Sequence, residues 1–136
     1  MITFKQKTYS DVDKQIFIEF LCSLEGFKTR TKNLHWSAPK NNIHTRLDEF
    51  LEIIDEYEDG LAEGYMGILG QMGPNEINGT PCNASDAISL INEVEERTKQ
   101  FYESIPEGVE FKGITSECET FIQNIQKYSY LFNLCV

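Results

Sequence analysis

"NIHTRLDEFLEIIDEYEDGLAEGYMGIL", residues 42–69, carries two patterns at once. Ile43, Leu47, Phe50, Leu51, Ile54, Leu61 and Ile68 recur at intervals that place apolar side chains on one side of an α-helix. Set at about 100° per residue, His44, Asp48, Asp59 and Glu63 fall near 0°, 40°, 60° and 100°, with the apolar stripe centred near −80°. A long helix with one face for a core and a polar edge beside it is the unit from which helical bundles are made.

The flanking sequence repeats that unit three times. Before it, Ser10-Asp11-Val12-Asp13 reads as a helix N-cap with first-turn acids, and Ile16, Phe20, Leu24, Phe27 and Leu34 follow at helical spacing, predicting a helix over 11–36 that Pro39 ends. Asn41 or Asn42 is the expected cap of the next helix. After it, "GQMGPNEINGTPCN" (70–83) is dense in turn formers and reads as a long exposed connection. Ile88, Ile91, Val94, Thr98, Phe101 and Ile105 predict a third helix over 84–104, stopped by Pro106 and Gly108. Phe121, Ile125, Tyr128, Phe132 and Cys135 predict a fourth over 114–135, with Ser116-Glu117-Cys118-Glu119 as its capping box. No strand pattern competes. The expectation is all-α: one domain, residues 1–136, folded as an antiparallel four-helix bundle. The long second connection leaves two topologies open, an ordinary up-down bundle and a ferritin-like crossover.

Composition limits the function classes. The chain has 136 residues, 12 Lys and Arg against 22 Asp and Glu, and a formal charge of −10. Residues 48–96 contain thirteen acids and no base. Such a surface repels phosphate backbones and attracts cations, so nucleic-acid binding through a basic patch is not expected, and the short "FKQK" (4–7) does not reverse this. Four cysteines (Cys22, Cys82, Cys118, Cys135) without a C-x-x-C pair read as free thiols. The sequence has neither a leader-like apolar segment nor a membrane-length one, and the cytoplasm is the expected compartment.

The polar edge of the 42–69 helix has metal-ligand chemistry. Both histidines of the chain, His35 and His44, lie beside it. His44 and Asp48 are one turn apart, as are Asp59 and Glu63, so each pair has chelating spacing. The two pairs are separated by roughly 16 Å of helix, far beyond the reach of one ion. A twofold dimer resolves this: two such helices meeting antiparallel set the His/Asp end of one against the Asp/Glu end of the other and create two equivalent sites. His35 is placed to add a ligand. Mixed imidazole and carboxylate ligands with open positions suit iron(II), with manganese and zinc as competitors. A merely solvated acidic face is the competing reading. The Glu-x-x-His pairs of intramolecular di-iron bundles are absent from the sequence.

"KNLHW" (32–36), "HTRLD" (44–48) and "DGLAE" (59–63) also resemble, in order and spacing, the corresponding motifs of the Dps family, the mini-ferritins of starved cells. The resemblance covers about residues 20–66; the turn between the histidines is shorter than is usual in that family. It implies a ferritin-like bundle and an inter-subunit ferroxidase site, with His35, His44 and Asp48 from one subunit and Asp59 and Glu63 from its twofold mate. It further implies oxidation of iron(II), preferentially by hydrogen peroxide, with Trp36 as an electron donor that limits radical escape. A dodecameric shell storing ferric mineral, and protection from oxidative damage, complete what it implies. The alternative is a ferritin-like bundle without turnover, acting as a structural or partner-binding oligomer.

Overall fold

The computed structural model describes residues 9–135, so the "FKQK" segment lies outside the described residues. Four helices account for most of them: α1 (Asp11–Trp36), α2 (Asn41–Leu69), α3 (Ala87–Ser104) and α4 (Lys112–Leu134), with a single 3-10 turn at Val109–Phe111 before α4. The protein is an all-α four-helix bundle.

Local chemistry sets the helix ends. Ser10 caps α1 as expected, its Oγ accepting from the Asp13 N–H (3.2 Å) while Asp13 Oδ2 accepts from the Ser10 N–H (3.2 Å). The same reciprocal pair between Asp86 and Ser89 starts α3 at Ala87, three residues later than the apolar periodicity suggested. Two expected caps are corrected. Lys40 occupies the α2 N-cap without a side-chain bond, while Asn42 Oδ1 turns to the adjacent Ile43 N–H (2.8 Å). Ser116 lies inside α4, because the Val109–Phe111 turn nucleates that helix earlier, at Lys112.

Three aromatic tiers run along the interior. Phe17 meets Tyr65, Phe101 and Phe111 at one end; Phe20 stacks on Phe101 and Tyr57 on Phe121 in the middle, each with ring centroids 4.1 Å apart; Phe50, Tyr128 and Phe132 fill the other end. Phe17, Leu21, Tyr65, Leu69, Leu90, Phe111, Ile114 and Cys118 join the core beyond the sequence stripes, whereas Ile16, Ile43, Leu51, Ile68, Ile88, Ile105 and Cys135 lie only half inside.

Which helices touch decides between the two topologies. α1 packs on α2 and α3, and α4 packs on the same two. The start of α1 shares its end of the bundle with Tyr65, Phe101 and Phe111, so α2 and α3 run in the same direction and sit diagonally. Residues 70–86 must then return along the whole bundle, which is the single-crossover connectivity of ferritin-like folds. The return path lies on α1: the Thr80 N–H donates to Cys22 O (2.9 Å), the Cys22 thiol to Glu76 O (3.6 Å), and Arg30 Nε to Ala84 O. Gly26 makes this approach possible, since a Cβ there would stand 1.6 Å from the Thr80 carbonyl oxygen.

Gly26→Ala is therefore expected to lift the crossover from α1 and to cost about 2–3 kcal/mol in urea unfolding. Gly67→Ala, where a Cβ meets nothing within 4 Å, is expected to stabilise by about 0.5–1 kcal/mol, because glycine is the poorer residue in a helix interior.

Candidate functional site

Ser37 to Lys40 turn the chain from α1 into α2 and bring the two histidines face to face. Their rings stack with centroids 3.8 Å apart and planes at 21°. Each Nδ1 donates to the other residue's backbone carbonyl, His35 Nδ1 to His44 O and His44 Nδ1 to His35 O, both at 2.7 Å. A carbonyl can only accept, so each Nδ1 carries a proton, and the neutral form of either ring has its lone pair on Nε2. This is the state a metal ligand needs, with the ring orientation fixed by a hydrogen bond on its far side. His35 Nε2 lies 4.0 Å from Asp48 Oδ1. The His35 side chain is 14% exposed and that of Asp48 58%, so the trio opens to solvent at its carboxylate edge. The imidazole that approaches the carboxylate is that of His35, which the sequence offers as a further ligand, while His44, paired with Asp48 by spacing, makes no ion pair with it.

Asp59 and Glu63 lie farther along α2, exposed and without a hydrogen bond or ion pair among the described residues. They stay apart from the histidines, as the helix rise requires. Among the described residues no three His, Cys, Asp or Glu side chains converge on one cation position. Trp36, next to His35 in sequence, is 68% exposed, so it does not serve as a packing residue within the chain.

Between the histidine pair and the Asp59/Glu63 pair lies a group that sequence reasoning missed. Asp55 sits near 20° on the same helical face, and with Glu25 and Glu58 it surrounds one ammonium. Lys28 Nζ donates to Glu25 Oε1 (3.1 Å), Asp55 Oδ1 (2.8 Å) and Glu58 Oε1 (2.9 Å). Burial alone would lower the Lys28 pKa, but its three carboxylate bonds outweigh that and raise it. Glu58 is pushed up to about 7, chiefly by burial and further by Glu25, against the lowering effect of Lys28. Its Oε2 is buried without a partner. The Lys28 contact and the upward shift pull in opposite directions. Burial prevails, since one ammonium divided among three carboxylates compensates each only in part. The available signal was the seven-residue offset of Lys28 from His35, which puts both on the α2-facing side of α1.

No family model, curated protein or solved structure matches this chain.

Glu58 supplies a pH dependence whose sign follows from linkage. Its folded pKa, about 7, exceeds the ordinary 4.5, so between those values the native state binds the extra proton and stability falls as pH rises. In urea unfolding, Glu58→Gln is expected to flatten that fall between pH 4.5 and 7, leaving the variant relatively more stable at the upper end. An unchanged slope would rule this out.

Proposed function

We propose that the chain is a Dps-like mini-ferritin, which oxidises iron(II) at sites completed when two copies lay α2 antiparallel. The observation that carries this reading is the reciprocal imidazole–carbonyl pair, which leaves both Nε2 atoms without a hydrogen bond and sets that of His35 4.0 Å from Asp48 on an open edge. The single crossover and the order of the three sequence motifs support it. In the dimer, Asp59 and Glu63 of the mate supply the oxygen ligands that each His35, His44 and Asp48 trio lacks. Iron is the substrate here, with manganese and zinc as competitors for the same ligands.

The chemistry follows from the ligand types. Carboxylates favour the ion more as its charge rises from two to three, while neutral imidazoles bind iron(II) and leave coordination positions for the oxidant. Two iron(II) ions each give one electron to hydrogen peroxide; the O–O bond breaks, and two hydroxides and two iron(III) ions result. A lone iron(II) would instead release one hydroxide and a hydroxyl radical. One electron from the Trp36 indole turns that radical into hydroxide, leaving the oxidised indole. Storage of the ferric product in a shell of twelve subunits, and protection from oxidative damage, belong to the same reading. The acidic balance of the chain argues against DNA as a partner.

Anaerobic iron(II) titration followed by peroxide tests the site, and mixing variants tests its inter-subunit construction. His44→Ala/Asp48→Ala and Asp59→Ala/Glu63→Ala are each expected to abolish saturable binding and fast oxidation. Co-refolded in equal amounts, they should recover about a quarter of the activity, because half the dimers are mixed and each mixed dimer has one intact site. No recovery would place all ligands in one chain, unaltered oxidation in either variant would remove these residues from the chemistry, and no saturable binding by the unaltered chain would leave a non-catalytic bundle as the answer.

A further inference from the structure

Arg97 stands on the opposite flank of α1 from the histidines. Its Nε donates to Ser23 Oγ (3.1 Å), and the guanidinium carbon lies 5.2 Å from the centroid of the Phe20 ring. Among the described residues its terminal nitrogens have no hydrogen-bond partner, and no carboxylate oxygen comes within 4.0 Å. The pKa is lowered, first by burial, which the charge of Glu19 only partly offsets. A guanidinium carries five donors in a planar fork, so an arginine held by one nitrogen and stacked on an aromatic ring presents the rest in a fixed orientation.

Arg97 lines a groove of about 310 Å³ between α1, α3 and the crossover, together with Phe27, Pro81, Cys82, Glu93 and Glu96. The volume is at the small end of ligand sites. Its charges are of both signs. Glu93 Oε2 accepts from the Cys82 thiol (3.7 Å), which holds one acid on the wall, and Glu96 is exposed on the same helix. A phosphate or other multiply charged anion would meet both carboxylates, and a simple cation would meet Arg97. A molecule bearing one carboxylate and one ammonium satisfies the two ends together. Phe27 and Pro81 provide apolar wall for a short aliphatic side chain.

We propose that the groove between α1, α3 and the crossover binds a small α-amino acid, with its carboxylate on Arg97 and its ammonium toward Glu93 and Glu96. Iron chemistry has no part in this site, and it stands or falls separately from the ferroxidase reading.

Leucine, 4-methylpentanoate (the same skeleton without the amine) and isopentylamine (without the carboxylate) are the probes. Titration of the whole chain is followed by NMR at the Arg97 Nε–H and the Thr80 and Cys82 amides. Leucine is expected to saturate with Kd on the order of 1 mM, and each single-charge analogue to bind about tenfold more weakly or not at all. Arg97→Gln should lose leucine at least about tenfold. Glu93→Gln/Glu96→Gln, which leaves Arg97 and its aromatic stack in place, should abolish the preference for leucine over 4-methylpentanoate. Equal binding of leucine and 4-methylpentanoate by the unaltered chain overturns the proposal, as does no saturation by leucine up to about 50 mM. So does full leucine binding by the double variant.

Discussion

The close passage of the crossover over α1 is the constraint that orders the rest of the molecule. With Thr80 seated on Gly26, residues 70–86 take up one flank of α1, and α3 starts at the end of the bundle where α1 finishes. α2 and α3 are thereby set diagonal and α4 falls between them on the far side. What remains uncovered is the outer face shared by α1 and α2, where the histidines, Asp48, Asp55, Asp59 and Glu63 lie. A sequential up-down bundle would have placed α3 beside α2 and changed which edge of the acidic stripe faces solvent. The apolar tiers stabilise this arrangement without specifying it, since aromatic residues of similar volume interdigitate in several topologies.

Much of this was legible from residue order. Apolar periodicity located all four helices to within about three residues, because a period near 3.6 is a property of the chain and needs no partner. Caps were less legible where two local signals compete. Asn42 has the right side chain for an N-cap but spends it on the next residue's amide, and Ser116-Glu117-Cys118-Glu119 has the capping pattern but sits behind a 3-10 turn that had already started α4. Topology could not be read at all, as composition along 70–83 is the same for either path. The two paths are distinguished by which helices touch and by the fit of a carbonyl into the space over a glycine, and both exist only in the folded chain.

The candidate site divides in the same way. The proximity of both histidines to an acidic helical face follows from spacing. Their mutual stacking, and the exchange of Nδ1 protons for backbone carbonyls, depends on the shape of a short turn, which spacing does not describe. Lys28 escaped notice for another reason: its partners come from its own helix and from two positions on α2, so the cluster exists only after the helices pack.

The crossed imidazole–carbonyl bonds also have a mechanical meaning. Each ring is tethered to the main chain of the opposite helix, so the turn at 37–40 cannot splay without severing both tethers together. A strain arriving from elsewhere, whether from subunit docking or from thermal flexing of the far end of the bundle, would move the two rings as one rigid plate. The spacing between the donor atoms is in this way insulated from the motions of the body that carries them.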